Sequence, residues 1–482
     1  MPPPPPGGAR RRRRQTPPPG GARRRRRRQA GGDAVGEDRI SSLPDDMLRE
    51  VLARLPSSEA VRTGVLSRRW RGLWTELGAL WFYGVDPDAV DAALAQVTRP
   101  TLNSLEIHSD NVSLWDITPD RLNSLLGAAA RLAPLELAIT MWPVYGSAEA
   151  FELPCFGRTV HLSLDMLPPV LRLMPPASGE FTALKSLSLD KVELDPGALL
   201  PLCPSLRVLK MHRVYGFETF AIHSASLQVL DVGIDYQWEI SCIDIDAPVL
   251  KVVDLDFYMA KEFSVSFSAP MVEKLKWVCI TGHHNVGFGV WLLNTITWEY
   301  QLPEPGGSSM HHISLDITYE PTVDDESIAQ ELARLPVPNI TALELSIISG
   351  HVFGPLLLHL LGICPALQLL KMSYDRDYYG DLRYCGVNCP CKQPEDWGSE
   401  SISLTDLQVV EIDGFEGQDD EFDLVKLLFR CAPVLRTMIL RVHDGCRSPK
   451  IDHYKRICSV FKEYPDVECY VYSIDNGKIL YP

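Results

Sequence analysis

Leu184-x-x-Leu187-x-Leu189, Leu206-x-x-Leu209-x-Met211, Leu227-x-x-Leu230-x-Val232, Leu250-x-x-Val253-x-Leu255 and Val272-x-x-Leu275 are one phrase written five times. Its second apolar position falls at 187, 209, 230, 253 and 275, in steps of 22, 21, 23 and 22 residues. So constant a period marks a solenoid, in which each repeat covers the apolar face of its neighbour. The central Leu-x-Leu predicts a short strand whose alternate side chains enter the core, and the leucine before it comes from the incoming turn. Stacked strands make a curved parallel sheet, with helical or irregular returns. Pro196–Leu202 and Phe422–Arg430 are expected as helical returns; Leu424, Leu427 and Leu428 show the helix spacing directly. The fold class is α/β.

Working outward, looser copies occur at Leu102-x-x-Leu105-x-Ile107, Leu343-x-Leu345, Leu367-x-x-Leu370-x-Met372, Leu407-x-x-Val410-x-Ile412 and Leu435-x-x-Met438-x-Leu440. The asparagine position of regular leucine-rich repeats is largely missing, so the solenoid is of an irregular kind. Loop aromatics such as Tyr215, Phe217, Tyr236, Trp238, Tyr258, Tyr374 and Tyr378 are candidate recognition residues.

Residues 39–74 read differently. Leu48, Val51, Leu52 and Leu55 lie at i, i+3, i+4 and i+7, one apolar stripe of a helix that begins near Pro44 with Asp45 and Asp46 at its positive end. Pro56 stops it. Ser57 is placed to cap a second helix carrying Val61 and Val65, and Ser67 a third, where Leu66, Trp70, Leu73 and Trp74 repeat the stripe. Thirty-six residues are too few to bury two tryptophans and this many aliphatics, and no cysteine falls among them to staple the fold. The apolar residues therefore dock either on the rest of the chain or on a partner. Were the tryptophans already sealed against the repeats in the lone chain, the ligase reading would collapse and leave an arc of repeats with an unknown client.

Leu43-Pro44, Val51-Leu52…Leu55-Pro56, Glu59 to Thr63, and Val65-Leu66-Ser67-Arg68-Arg69-Trp70-Arg71…Leu73-Trp74 resemble a plant F-box. Further on, Cys389-x-Cys391…Trp397, Leu404-x-x-Leu407-x-x-Val410-Glu411-Ile412-x-Gly414-Phe415-x-Gly417 and Leu435-x-x-Met438 resemble the FBD region that follows F-box and leucine-rich repeats in many plant proteins. The resemblance implies a non-catalytic substrate receptor of an SCF-type ubiquitin ligase. Its F-box would dock onto the SKP-type adaptor, and through it a cullin–RING ligase, while the repeats hold an unknown protein substrate for ubiquitination. The docking residues it implies are Leu43, Pro44, Leu48, Val51, Leu52, Leu55, Pro56, Val65, Ser67, Arg69, Trp70 and Leu73, with Trp70 the foremost; some of them must pack the helices together instead. Seven arginines against four acids make 39–74 locally positive, complementary to the family's acidic adaptor. The alternative is a repeat scaffold without a ligase role, its helical N-terminus capping the first repeat. The organisation expected is a disordered Pro/Gly/Arg-rich tail (1–37), the F-box (38–80), the leucine-rich solenoid (81–384) and FBD-like repeats closing it (385–482).

Composition agrees with a soluble, reducing-compartment protein. The chain has 482 residues, 45% of them hydrophobic, and a net charge of −15. Residues 1–30 hold Arg10, Arg11, Arg12, Arg13, Arg14, Arg23, Arg24, Arg25, Arg26, Arg27 and Arg28 and no acid, which leaves −26 on the rest. That acidic body argues against gripping nucleic acid, except weakly through the arginine tail. The tail is an in-register duplication with essentially no apolar surface to bury, expected to be disordered, and its arginines are a candidate nuclear-localisation signal. No secretory signal or membrane span is read, so nucleus and/or cytoplasm is expected. The twelve cysteines sit mostly inside apolar runs, as reduced core residues do.

No catalytic motif is found, and no cofactor is expected. Cys385-x3-Cys389-x-Cys391 is read as a thiol-bearing loop with no metal, since structural zinc wants two ligand pairs and Cys-x-Cys leaves one residue between thiolates. His443, Cys446 and His453 are near only in sequence. His283-His284 and His311-His312 are adjacent, so their rings diverge. Asp419, Asp420, Glu421 and Asp423 are expected to charge a helix N-terminus.

Overall fold

The structure is a computed structural model describing residues 40, 42–109, 119–141, 150–166, 171–281, 286–303, 310–319, 326–337, 339–348, 351–374, 389, 391, 397–442, 450–473 and 479–481. The arginine tail, His283, His284, Tyr378, Cys385, His443 and Cys446 lie outside the described residues. Two compact units are distinguished, the first ending at Leu48 and the second running from Arg49 to Pro482.

In the second unit the five-fold phrase becomes a ladder in strict register. Leu187 pairs with Leu209, Leu209 with Leu230, Leu230 with Val253, and Val253 with Leu275, all between parallel strands. The ladder extends backwards through Leu162, Leu137 and Leu105 to Leu80, and on the far side from Ile313 through Leu343, Leu370, Val410 and Met438 to Cys469. All of these side chains are buried. The repeats at Leu137 and Leu162 escape the sequence pattern because Pro134 and Thr159 stand where the leading leucine is expected; the buried Thr159 hydroxyl donates to the Pro134 carbonyl at 2.7 Å instead.

Two departures from a uniform parallel sheet stand out. Trp291–Gln301 runs antiparallel to both Lys274–Ile280 and Met310–Tyr319. One extra strand is thus inserted before the parallel stacking resumes with Ala342–Ile348. Between 219 and 268 the returns are strands. Thr219–His223 pairs with Glu239–Asp246, which pairs with the second half of Val252–Ser268. Segments such as Glu239-Ile-Ser-Cys-Ile-Asp-Ile-Asp246 alternate at a period near two with β-branched residues, the pattern of a strand buried on one face. Ala150–Glu152, Leu171–Met174 and Val192–Glu193 form a second, three-stranded sheet, while Pro119–Leu132, Pro196–Leu199, Gly354–Ile363, Asp419–Cys431 and Lys450–Lys462 are helical returns, the second and fourth of them at the expected places.

The acidic run before Phe422 does open a helix. Glu421 is buried, accepting the backbone N–H of Gln418 at 2.8 Å and of Glu416 at 3.1 Å, while Asp419 pairs with Arg456 at 2.6 Å. Gly414 has φ +82°, and a Cβ there would lie 3.0 Å from the Tyr374 carbonyl. The register slips between Asp413 and Phe415 at this point, which turns Phe415 into the core.

Candidate partner-docking surfaces

The helical head is built from α1 (Asp45–Leu52), α2 (Ser57–Arg62) and α3 (Trp70–Leu73), with 3-10 turns at Thr63–Val65 and Trp74–Glu76. Two caps differ from expectation. Pro56, extended at ψ 140°, precedes α2, so the Ser57 hydroxyl is released to accept the Trp81 backbone N–H at 2.8 Å. Arg69, not Ser67, precedes α3, which is one turn long. The Ser57 bond, with Thr98 N–H to Thr75 C=O at 3.1 Å and Asn103 N–H to Gly78 C=O at 2.6 Å, joins the head from α2 onward to the first repeat.

Burial divides the apolar residues of the head into two sets. Leu52, Trp70, Leu73 and Trp74 are buried, with Trp70 only 7% and Trp74 2% exposed. Trp70, expected from sequence to lead the docking, is thus buried together with Trp74, as a large apolar ring gains most by burial. Exposed in the same unit are Val65 at 86%, Leu66 at 68% and Val51 at 48%. Ser67 and Arg69 are also exposed, and Leu55 and Pro56 are half-buried. In the first unit Ile40, Met47 and Pro44 are exposed, Leu43 is half-buried and Leu48 is buried. Of the twelve residues named from sequence, Leu48, Leu52, Trp70 and Leu73 thus hold the interior. Met47 and Leu66 were not among the twelve. Both are large apolar residues on exposed positions, and that mismatch is the signal that could have found them.

Residues 40–80 match the F-box domain family. Among curated relatives, one F-box/LRR-repeat protein of Arabidopsis thaliana is 30% identical over 262 residues, covering 50% of this chain and 81% of the relative. This chain belongs to the plant F-box/LRR-repeat family. A putative F-box/FBD/LRR-repeat protein of the same plant is 28% identical over 440 residues, 86% of this chain and 91% of the relative. Another F-box/FBD/LRR-repeat protein is 30% identical over 274 residues, 52% of this chain. The chain spans 61% of that relative's length and 56% of a further one's. The FBD resemblance of the C-terminal repeats is in keeping with these names.

The second surface of this F-box/LRR chain is the strand face turned away from the core. It is dense in ion pairs: Lys371 to Glu344 at 2.6 Å, Arg441 to Glu411 at 2.9 Å and to Asp413 at 2.5 Å, and Arg213 to Asp190, with the His312 ring 3.3 Å from Glu344. An open depression of about 580 Å³ lies here between Lys274, Lys276, Tyr300, His312, Glu344 and Lys371. Carboxylates also stand opposite one another: Asp165 pairs in register with Asp190, and Asp231 with Asp254. Like charges in register are unfavourable. Burial, then the neighbouring Asp190, raise the Asp165 carboxyl above its usual range, and its Oδ1 is buried without a hydrogen bond. A raised carboxyl is destabilising when ionised, and the folded chain regains that stability as pH falls through the folded value. Asp165→Asn should accordingly raise the melting temperature at pH 8 and lose this advantage toward pH 4. Thermal melts at the two pH values check it; no gain at pH 8 would mean that the carboxylate is well solvated. Of the loop aromatics singled out from sequence, Tyr236 is exposed, whereas Phe217 and Tyr374 are buried.

The thiols are mostly core. None of the ten described cysteines is paired in a disulfide. Burial pushes Cys203 up to about 12 and Cys364 and Cys469 to about 11, which keeps them protonated and unreactive. His311 lies against Tyr300, ring centroids 4.9 Å apart, while His312 faces Glu344, so the adjacent rings do diverge. A group with metal-ligand chemistry among the described residues is His351 with Cys389 and Cys391, whose donor atoms all lie within 4.8 Å of one another. Sequence reading looked for further ligands near His443 and missed His351, 38 residues before Cys389. No described helix is long and apolar enough to cross a membrane.

Proposed function

We propose that this F-box protein is the substrate-recognition subunit of an SCF-type ubiquitin ligase. The F-box binds the SKP-type adaptor, and the repeats hold a target protein near the ubiquitin-charged enzyme. The chain contributes no chemistry of its own; tethering raises the effective concentration of target lysines. The observation that carries this reading is the exposure of Val65 and Leu66 on a head whose tryptophans are already covered. Exposed aliphatics beside arginines suit an acidic, groove-bearing partner. The carboxylates of the strand face favour a basic target segment, whose cations would relieve the repulsion between facing aspartates. Residues 1–37 act as a nuclear-import arm, placing the protein in nucleus and cytoplasm.

The test is co-purification of the full chain with a SKP-type adaptor and cullin. A stable three-component assembly is expected. If neither associates at micromolar concentration, the second reading takes over, a repeat scaffold without a ligase role. The bond from Trp81 to Ser57, which ties the head to the first repeat, favours that second reading.

A further inference from the structure

Cys389, Cys391 and Trp397, at the start of the FBD-like region, approach the helix Gly354–Ile363 and His351 just before it. Trp397 lies so close to Gly354 that a Cβ on the glycine would fall 2.5 Å from the indole. Eight and six residues earlier in the chain, the sulfur atoms of Cys389 and Cys391 lie 3.2 and 3.5 Å from Nδ1 of His351. Cys389 and Cys391 are both buried, although each has few apolar neighbours in sequence. The His351 ring is held edge-on to the buried Trp291, centroids 6.4 Å apart. Arg430 fixes the other end, donating to the carbonyls of Gly398 and Glu400 at 2.8 Å.

We propose that His351, Cys389 and Cys391 bind one zinc ion. Tetrahedral zinc, with Zn–S near 2.3 Å and Zn–N near 2.0–2.1 Å, holds its nitrogen and sulfur ligands about 3.5 Å apart. The two N···S distances are already 3.2 and 3.5 Å, and all three donors lie within 4.8 Å of one another, so the ion enters with little rearrangement. One imidazole and two thiolates form a soft donor set, which excludes magnesium and calcium and suits zinc. Both thiols lose their protons on binding; two protons leave for each Zn²⁺ taken up, and the site with its ion is neutral. Three protein donors leave one coordination position for water. The ion closes the chain between residues 351 and 391 into a loop, clipping the entry to the C-terminal repeats onto the body of the solenoid.

The test is made on the full chain, freed of metal by chelation and titrated with Zn²⁺. One zinc per chain is expected, with release of two protons. At free zinc about 100-fold above the dissociation constant, alkylation of Cys389 and Cys391 should slow about 100-fold, while alkylation of Cys155 stays unchanged. Cys389→Ser with Cys391→Ser should abolish uptake, and His351→Ala should weaken it. Because the protection of thiols is read on the native sequence, misfolding of a variant does not blur the result. Equal zinc uptake by the double cysteine variant would overturn the proposal, as would alkylation at positions 389 and 391 that is indifferent to zinc.

Discussion

Replacing Val65 and Leu66 together by aspartate should weaken binding of a SKP-type adaptor at least about 100-fold, while the chain keeps its fold. Both side chains are exposed, one closing the 3-10 turn and the other just after it, where the Leu66 N–H is already satisfied by the Thr63 carbonyl at 2.9 Å. Surface changes of this kind usually move stability by no more than about 0.5 kcal/mol. At an interface, by contrast, two desolvated aliphatic residues turned into carboxylates lose their apolar contact and place charge against an acidic partner. Two hot-spot losses of about 2 kcal/mol each would exceed 100-fold. Calorimetric titration of adaptor into each protein measures the affinity, and a thermal melt controls for folding. Trp70→Ala gives the contrasting pattern, because the indole is interior: stability falls first, and adaptor binding falls only as the head loosens.

The second large effect is on stability. Trp277→Ala should cost about 3–5 kcal/mol, the range for removing a buried aromatic side chain. Trp277 is fully buried on Lys274–Ile280, the strand at which the parallel ladder meets the antiparallel insertion. Its ring lies edge-on to Phe257 and Phe267, at 5.8 and 5.9 Å, and is tilted against Trp298 at 6.1 Å. Its indole N–H reaches the Cys279 sulfur at 2.8 Å. Alanine leaves three aromatic rings facing a cavity that no single neighbour can fill. In denaturant unfolding followed by hydrogen exchange, residues 252–319 are expected to open first. A loss under about 1 kcal/mol would mean that this seam repacks freely.

The regular repeats were legible because register and period are the same quantity: the step of 21 to 23 residues in sequence becomes direct pairing from Leu187 to Leu275. Repeats that lack the leading leucine, at Leu137 and Leu162, carry no such mark. The antiparallel strand Trp291–Gln301 was hidden for a related reason, since its apolar alternation suits either direction equally well. In the head, spacing identified the helices but not which side each residue faces. Leu48 and Leu52, four apart on α1, are interior, whereas Val51 beside them is exposed. At Trp70 size alone does not separate an interface ring from an interior one, and the ring is buried. His351 could not be assigned from spacing at all, because its partners lie 38 and 40 residues away in the chain.

Hydrogen exchange of the full chain, with and without a SKP-type adaptor, tests most directly whether the F-box head docks through its exposed aliphatic residues. New protection should appear in peptides covering residues 47–51 and 63–69, while Trp70 to Leu77 and the strand ladder stay as they were. An adaptor that binds yet protects only the repeats, or leaves residues 63–69 exchanging as in the lone chain, would contradict this account.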